Sequence, residues 1–359
     1  MTSRRKASWA ALVAGLCLSF GVSAALPTTV EAAARSRQTS VKKSTVKKTS
    51  TVRRSKTRTT SRSRMSAARR ARLARARAAR AAAIREAQLP RYRTDATGAL
   101  VPDLHAAAAI IYNPETRQVL WEEHSQDKRS IASITKVMTA VVFSETDPDP
   151  NEPVTIERSD VYAASTTHLR ANYVVTVDDL MHLLLISSDN AAARALARVS
   201  PWGSAGFVQR MNEKAVELGL QSTSYADPSG LDAANVSSAY DMARLIAYAA
   251  GDERISEIMR KKEHELTLGT RQRKIHSTNR LLANSDIQPN VLGGKTGFIS
   301  QAGYCVATLL KLPEANQPVA VVVLGARSNA GRFTEVKNLL GWVSSKTKGL
   351  VGAKPGAVH

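Results

Sequence analysis

The sequence predicts an α+β domain in which helices cover an antiparallel sheet and a helical lobe is inserted between the strands. Strand-like apolar runs lie at both ends of the region after residue 94, and helical patterns fill the sequence between them. This segregation of strands from helices is typical of α+β folds. Residues 94–359 are almost neutral and long enough to bury a large core, although the whole chain of 359 residues carries a net charge of +21.

The first predicted elements are a β-hairpin and a helix. Residues 106–112 form an apolar run typical of a buried strand, a turn follows at residues 113–116, and the return strand covers residues 118–121. After a polar connection, residues 134–143 form an apolar helical stretch with Ser133 at its start.

The middle and the end of the domain predict further helices and a pair of strands. Apolar residues at helical spacing are interrupted at residues 187–190, which divides the first helical region into two parts. The later elements are a helix pair at 178–196, a helix at 241–250, strands at 304–310 and 319–324, and an amphipathic helix at 331–343. Strands from the two ends of the domain would then form the antiparallel sheet.

The N-terminus has the features of an export signal. Basic residues at positions 4–6 precede an apolar run at residues 9–22, and a small-residue cleavage sequence ends at Ala24. The run is marginal for spanning a membrane, so an anchor is the less favoured interpretation. We therefore expect residues 1–24 to be a signal peptide and the protein to be periplasmic. Cys305 is the only cysteine after this segment, so no internal disulfide is expected.

Residues 25–93 form a strongly basic, low-complexity region. Residues 35–93 contain 21 Lys and Arg and a single acidic residue, Glu86. The Ser/Thr/Lys/Arg repeats have almost nothing to bury, so we expect a disordered tail whose Ala/Arg stretch at 66–88 becomes helical only against a polyanion. The tail is interpreted as a tether to an anionic envelope polymer or a membrane surface, or else as a solvated linker. Nucleic acid is not expected as a partner, because these repeats lack stacking aromatic residues.

Three short motifs follow in order along the predicted domain, residues 94–359. They are Ser-Ile-Thr-Lys at 133–136, Ser-Asp-Asn at 188–190 and Lys-Thr-Gly at 295–297. Ser-x-x-Lys and Ser-x-Asn recur elsewhere in the chain, but Lys-Thr-Gly occurs once. Helical spacing of three places the first serine and lysine on one face. Chance assembly of all three motifs in this order is improbable, so we interpret them as one active site.

These residue types fit catalysis by an activated serine nucleophile. Ser133 would attack a carbonyl carbon after Lys136 accepts its proton, although the identity of the acylation base stays open. A lysine can accept that proton only when burial, or a second ammonium such as that of Lys295, favours the neutral amine. Ser188 would pass the proton between Lys136 and the departing amine. The backbone N–H groups of Ser133 and Phe298 would stabilise the oxyanion.

The remaining motif residues would bind the substrate. Lys295 and Thr296 would hold a carboxylate next to the scissile bond, and Asn190 would offer its amide to the peptide backbone of the substrate. Gly297 would let that backbone approach the strand closely. Taken singly, each of these residues has a simpler structural explanation, but three independent coincidences would then be required.

On these residues the chain resembles the low-molecular-mass penicillin-binding proteins, the D-alanyl-D-alanine endopeptidase and carboxypeptidase family. The resemblance runs from about residue 105 to 342 and includes Asp-Pro-Ser-Gly-Leu-Asp at 227–232. It implies a β-lactamase/transpeptidase-like fold and an acyl-enzyme on Ser133. It also implies peptidoglycan peptides as substrates, β-lactams as inhibitors, and no metal or other cofactor.

Within the family, the endopeptidase that cleaves D-Ala–diaminopimelate cross-links is the better match. Membrane-anchored carboxypeptidases carry a further β-rich domain and an amphipathic anchor, and residues 344–359 are too short and polar for either. D-alanyl-D-alanine carboxypeptidase is the alternative, because both substrates present a carboxylate beside the scissile bond.

Three other classes of protein are less favoured. A β-lactamase needs a deacylating base, but Glu-x-x-Leu-Asn is absent after Asn190, where residues 225–228 read Tyr-Ala-Asp-Pro. A non-catalytic envelope-binding protein acting through its tail would not need the intact motifs. A metallopeptidase is disfavoured because none of the seven histidines forms His-Glu-x-x-His.

Overall fold

The centre of the computed structural model, which describes residues 67–86, 90–312 and 316–352, is a five-stranded antiparallel sheet. Its strands are β3 (Ala108–Asn113), β4 (Gln118–Glu123), β11 (Val291–Ile299), β12 (Gly303–Lys311) and β13 (Pro318–Ala326). They lie side by side in the order β11-β12-β13-β3-β4. Ala320 of β13 pairs with Tyr112 of β3, so strands from the two ends of the domain share one sheet. β11 is an edge strand.

Helices cover both faces of this sheet. α7 (Ala239–Ala250) and α9 (Gly331–Gly352) pack against it, and α8 (Glu253–Arg260) contacts β11. The other helices are α2 (Thr135–Ser144), α3 (Arg158–Val161), α4 (Val177–His182), α5 (Asn190–Val199) and α6 (Gly203–Glu217). Side chains alternate across a strand, so Ile110 of β3 enters the larger core cluster, which includes α2 and α7. Ile111 points to the opposite face, where the second cluster packs under α9.

Between β4 and β11 the chain forms the helical lobe, which also contains three two-stranded sheets. These pair β5 (Arg129–Ser130) with β8 (Val236–Ser237), β6 (Pro153–Thr155) with β7 (Val174–Thr176), and β9 (Glu263–Leu268) with β10 (Arg271–His276). α4 continues directly into a π-helix at Leu183–Ser187. The lobe meets the main sheet along β11, and a 3₁₀ helix at Ala132–Ile134 contacts that strand. The three motifs lie along this junction.

The predicted α+β architecture, with its antiparallel sheet and inserted helical lobe, is confirmed. Among the hairpins that were not predicted, β1 (Tyr92–Thr94) pairs with β2 (Leu100–Pro102). These strands have three residues each and are mostly exposed, so they lack the alternating pattern that identifies a strand from sequence. Arg91, which precedes the predicted boundary at residue 94, forms an ion pair with Glu335 at 2.8 Å.

The predicted signal peptide, residues 1–24, and the tail up to residue 66 lie outside the described residues. The Ala/Arg stretch contains one helix, α1 (Ala67–Glu86). Alanine and arginine are both strong helix formers. The expected dependence of this helix on a polyanion stays a prediction, as do the domain boundaries. None of the helices in the described segments is both long enough and apolar enough to cross a membrane.

Candidate active site

Ser133 lies in the short 3₁₀ helix that leads into α2. The residue before it, Ala132, has a φ of 49°, in the left-handed region that alanine rarely adopts. Two glycines allow this turn to pack closely. A Cβ on Gly230 would lie 2.1 Å from the carbonyl oxygen of Ala132, and one on Gly297 would lie 2.7 Å from that of Ile131. Backbone on both sides therefore holds the Ser133 hydroxyl in place at the junction.

Lys136 follows one helical turn later and is fully buried. Its Nζ lies 3.0 Å from Ser133 Oγ and donates hydrogen bonds to Asn190 Oδ1 at 2.6 Å and to the carbonyl oxygen of Ser229. All three partners are uncharged. The expected juxtaposition of the serine and a buried lysine is therefore present.

The burial of Lys136 lowers the pKa of its ammonium from 10.5 to about 7. The carboxylates of Asp227 and Asp189 oppose this shift, and the positive charge of Arg194 adds to it. An amine with this pKa is partly unprotonated at neutral pH and can accept the proton of a hydroxyl 3.0 Å away. The arrangement can activate Ser133 as a nucleophile.

The loop at Ser188 follows from an unusual local structure. The π-helix after α4 ends at Ser188, which has left-handed backbone angles of φ 62° and ψ 38°. Asp189 then caps α5, because its Oδ1 accepts hydrogen bonds from the backbone N–H groups of Ala191 and Ala192 at 2.9 and 3.1 Å. This sharp reversal turns Ser188 out of the helix and toward β11.

The hydrogen bond of Ser188 differs from the predicted one. Its Oγ accepts a hydrogen bond from Lys295 Nζ at 2.7 Å, whereas Lys136 bonds to Ser133, Asn190 and Ser229. In the described residues, Ser188 therefore contacts the second lysine rather than the first. The reason is geometric, since Lys295 reaches across from the facing edge strand β11.

The amide of Asn190 also differs from its predicted use. Its Oδ1 accepts from Lys136, and its Nδ2 donates to the carbonyl oxygen of Ala164 at 2.7 Å and to Ser165 Oγ at 3.3 Å. The side chain is 3% exposed. Instead of being free for a peptide backbone, the amide holds the loop at residues 164–166 against Lys136.

Lys295 is a second buried lysine, 1% exposed. Burial lowers the pKa of its ammonium well below 10.5, and the charges of Lys136 and Arg332 lower it further. The charge of Lys136 contributes to this shift, so the two lysines are close enough for their ammonium groups to repel each other. Thr296 Oγ1 donates to Thr278 Oγ1 at 2.7 Å.

Gly297 and Phe298 complete the strand. The close approach that Gly297 permits is that of the protein's own turn, since a Cβ there would lie 3.0 Å from the backbone nitrogen of Ser133. The two N–H groups assigned to the oxyanion, those of Ser133 and Phe298, are consequently neighbours across this contact. The Phe298 ring is half exposed and stacks on Tyr304 with centroids 4.2 Å apart.

Comparison with known proteins agrees with this arrangement. Residues 95–328 match the model of peptidase family S11, described as D-alanyl-D-alanine carboxypeptidase. The chain belongs to this family. It is 31% identical over 245 residues to a D-alanyl-D-alanine endopeptidase of Haemophilus influenzae, an alignment that covers 67% of this chain and 83% of that protein. The family confirms a serine DD-peptidase, a hydrolase of the penicillin-binding class.

Other S11 relatives carry different activities in their names. A D-alanyl-D-alanine carboxypeptidase of Bacillus subtilis is 31% identical over 248 residues, covering 67% of this chain and 62% of that protein. The solved structure of the Streptomyces K15 DD-transpeptidase superposes with a TM-score of 0.62 at 25% identity, covering 67% of this chain and 97% of that one. The β-lactamase/transpeptidase-like fold is thereby confirmed.

Several residues of this S11 site were not assigned from the sequence. The carbonyl oxygen of Ser229 contacts Lys136, and Asp227 fixes that segment by accepting hydrogen bonds from Ser229, Gly230 and Asn235. Residues 227–232 are part of the resemblance, but no role was assigned to them. A contact made by a backbone carbonyl has no signal in the sequence.

Arg332 was also missed. This buried residue on α9 donates to the carbonyl oxygens of Gly297 at 2.9 Å and Cys305 at 3.0 Å. It therefore ties the catalytic edge strand to its neighbour in the sheet. Arg332 is the only arginine in the sequence of the C-terminal helix, but it belongs to none of the three motifs, so nothing in the sequence assigned it to the site.

One group of possible metal ligands lies outside the S11 site. Asp178, His182 and His264 each offer an atom within 4.8 Å of the others. However, the two imidazole rings stack with centroids 3.8 Å apart and an angle of 18°, so their nitrogen lone pairs run nearly parallel and do not converge. Lys261 Nζ also lies 2.9 Å from His182 Nε2. We assign no metal centre to this group.

Proposed function

We propose that this S11 peptidase cleaves D-Ala–diaminopimelate cross-links of peptidoglycan through an acyl-enzyme on Ser133. The observation that carries the proposal is the contact of 3.0 Å between Ser133 Oγ and a wholly buried Lys136 whose pKa is lowered to about 7. Ser188 Oγ and the buried Lys295 Nζ form a second contact of this kind at 2.7 Å, which we assign to proton transfer to the leaving amine.

In the acylation step, the proton of the Ser133 hydroxyl passes to Lys136 Nζ while Oγ attacks the carbonyl carbon of D-alanine. The backbone N–H groups of Ser133 and Phe298 stabilise the oxyanion of the tetrahedral intermediate. The bond to the amine nitrogen then breaks, and the leaving amine takes up a proton. Water later hydrolyses the ester and regenerates Ser133.

Ser188 would deliver the proton to the leaving amine. Its contact with Lys295 at 2.7 Å supports a relay in which the second lysine holds and polarises this hydroxyl. The lowered pKa of Lys295 is compatible with that role, because its ammonium gives up a proton more readily than a solvated one.

The substrate carboxylate beside the scissile bond would bind near Lys295 and Thr296 on the edge strand. Asn190 would contribute by positioning Lys136, as its hydrogen bonds indicate. Gly297 keeps the strand close to the Ser133 turn. Every sequence-predicted residue thus keeps a place in the site, but the contacts of Ser188, Asn190 and Gly297 differ from those expected.

The endopeptidase activity is favoured over the carboxypeptidase activity by the relatives. The Haemophilus influenzae endopeptidase is matched over 83% of its length, and the Bacillus subtilis carboxypeptidase over 62%. D-alanyl-D-alanine carboxypeptidase is the second candidate, because the family description names it.

Penicillin is expected to acylate Ser133, and the resulting acyl-enzyme is expected to be hydrolysed slowly. Rapid turnover needs a carboxylate free to activate water, and Asp227 is not free. Its oxygens already accept from Ser229 Oγ at 2.8 Å, Gly230 N at 2.6 Å and Asn235 Nδ2 at 2.6 Å. This supports a penicillin-inhibited peptidase over a β-lactamase. Fast hydrolysis of a chromogenic cephalosporin would contradict it.

Export to the periplasm through residues 1–24, and attachment of the basic tail to an anionic envelope polymer or membrane surface, belong to the same proposal. The tail's charge supports electrostatic binding that weakens with salt. Deletion of residues 35–90 should therefore reduce binding to isolated sacculi in low salt, and unchanged binding would discard the tether.

The decisive experiment is mass spectrometry of the products from purified cross-linked and uncross-linked muropeptides. We expect dimers to be converted to monomers by the wild type and to persist with Ser133→Ala. Removal of terminal D-alanine from pentapeptides while dimers stay intact would replace the endopeptidase assignment with the carboxypeptidase one. Labelling of the wild type but not Ser133→Ala by fluorescent penicillin would identify the nucleophile.

A further inference from the structure

A wide groove lies between the β9–β10 hairpin and the loop that joins α3 to β7. Its volume is about 730 Å³. Tyr173 forms one wall and contacts the hairpin turn at Gly269, where a Cβ would lie 3.3 Å from the Tyr173 ring. Gly269 has a φ of 62°, so glycine fits both the turn and the close approach. We call this feature the basic groove.

The cations of the basic groove point into it for a structural reason. In the β9–β10 register, Arg271 pairs with Leu268 and Arg273 with Leu266. Cross-strand partners share a face of the ribbon, and both leucines are buried on the side that faces the protein. The two arginines therefore lie along the same side and line the groove together with Arg170.

These three arginines carry charge that the described residues do not balance. No Asp or Glu among the residues described here lies within 4.0 Å of the guanidinium groups of Arg170, Arg271 or Arg273. Lys274 also lines the groove, but Glu263 and Glu265 pair with it at 2.8 and 3.0 Å. The groove therefore presents three unpaired positive charges.

The basic groove is connected to the active site through His168, which lines its end. The backbone N–H of His168 donates to Asp189 Oδ2 at 2.6 Å, and Asp189 directly follows Ser188. The same loop is held by the hydrogen bond from Asn190 N to the carbonyl oxygen of Thr166 at 3.0 Å. A ligand in the groove would consequently lie next to the catalytic motif.

We propose that the basic groove binds the carboxylates of a peptidoglycan stem peptide whose scissile bond lies at Ser133. The inference rests on the proposed function and names where the rest of that substrate sits. A cross-linked peptide carries several carboxylates spread along an extended backbone, which matches three separated guanidinium groups. The position beside the catalytic loop favours such a peptide over a phosphate polymer bound independently of catalysis.

The test compares the triple variant Arg170→Gln, Arg271→Gln, Arg273→Gln with the wild type on a soluble cross-linked muropeptide dimer. We expect KM to rise about tenfold with little change in kcat, because three exposed ion pairs are lost while the chemistry is untouched. Added salt should raise KM for the wild type but not for the triple variant. The rate of acylation by penicillin, which carries one carboxylate, should be unchanged.

A matched control removes the same charge elsewhere. Arg117→Gln, Lys311→Gln, Lys337→Gln replaces three cations that lie outside the basic tail and the groove, and it should leave KM for the dimer unchanged. An equal rise in KM for both triple variants would show a general effect of net charge and would overturn the proposal. So would an unchanged KM in the groove variant, or a groove that binds a glycerol-phosphate polymer but not the dimer.

Direct binding separates this inference from the proposed function. In the Ser133→Ala background, the Kd of the uncleaved dimer should also rise about tenfold when the three groove arginines are replaced. Dimer binding that depends on the arginines, with no cleavage by the wild type, would sink the endopeptidase assignment and keep the groove. Cleavage by the wild type with arginine-independent binding would do the reverse.

Discussion

A buried lysine lies at each end of helix α2, one on the helix itself and one on the neighbouring helix α6, and the two lysines have different surroundings. At the N-terminal end, Lys136 meets only uncharged oxygens, and burial lowers its pKa to about 7. At the C-terminal end, Lys214 of α6 meets the carboxylates of Glu145 and Glu217. Burial alone lowers the pKa of Lys214, but the hydrogen bonds to these two carboxylates outweigh it and raise the pKa.

The pKa values of the two lysines differ because the nearest carboxylates accept hydrogen bonds from different donors. Asp227 and Asp189 are the acids that act on Lys136, yet their oxygens accept from backbone and amide N–H groups instead of from the ammonium. The N-terminus of a helix also disfavours a cation, whereas Glu145 at the other end is offset by Lys214 and Arg210. One end of α2 is built for reactivity and the other for stability.

Replacing each lysine in turn tests this difference most directly. Lys136→Met keeps the volume of the side chain but removes the base, so acylation by fluorescent penicillin should slow by about 10³-fold. Lys214→Met should leave acylation close to the wild-type rate, because the ammonium of Lys214 pairs with Glu145 and Glu217 and lies over the Tyr248 ring, away from the three motifs. Second-order acylation rates measure both. A similar loss in the two variants would mean that Lys136 acts through the fold and not as a base.

A substitution at Gly230 perturbs the turn before α2 without replacing either lysine. Gly230→Ala places a Cβ 2.1 Å from the carbonyl oxygen of Ala132, so the turn before Ser133 must move. Adding the strain of a positive φ, we expect a loss of about 3–5 kcal/mol in the free energy of unfolding. Gly98→Ala is the control, since its φ of 85° is similar to the 80° of Gly230 but nothing lies within 4 Å of its Cβ. It should lose only about 1–2 kcal/mol, and equal losses would refute the packing argument.

The part of the site that could be predicted from sequence is the local part. Ser133 and Lys136 are three residues apart on one helix, so their contact follows from helical geometry alone. The apolar residues around them predict burial, and burial is the first cause of the lowered pKa. The antiparallel sheet could also be predicted, because long apolar strands at the two ends of a domain have few other ways to pair; the order of its strands was not predicted.

The parts that could not be predicted depend on contacts between distant segments. Ser229 reaches Lys136 with a backbone carbonyl 93 residues away in sequence. Ser188 contacts Lys295 instead of Lys136 because a π-helix and a left-handed residue redirect it, and neither has a reliable sequence signal. Asn190 is drawn inward by the loop at Ala164, which carries no motif at all.

The pH dependence of the free energy of unfolding also distinguishes the two lysines. Above pH 7 the folded Lys136 has lost its proton, whereas the unfolded chain keeps it up to 10.5. The unfolded state then binds one more proton, so the free energy of unfolding should rise by about 1.4 kcal/mol per pH unit relative to Lys136→Met. The raised pKa of Lys214 has the opposite consequence. Its contribution is fully present below 10.5 and is lost only as the pH rises through the folded pKa.

Denaturant unfolding at several pH values between 7 and 10 tests both statements at once. The difference between wild type and Lys136→Met should increase steadily with pH, because other groups cancel between the two proteins. The difference between wild type and Lys214→Met should stay constant over the same range. A constant difference for Lys136→Met would mean that its folded pKa is ordinary, and the base assignment would lose its physical support.

The smallest expected effect concerns the two charges that oppose each other at Lys136. The Asp227 carboxylate raises the pKa of Lys136 and the Arg194 guanidinium lowers it. Asp227→Asn should therefore shift the acidic limb of the pH–acylation profile to lower pH, and Arg194→Gln should shift it to higher pH. Both variants are read from penicillin acylation rates between pH 5 and 9, with the plateau rate separating a pKa change from damage to the site. Because the two substitutions predict opposite directions for one titration, shifts of the same sign would show that Lys136 is not the group being titrated.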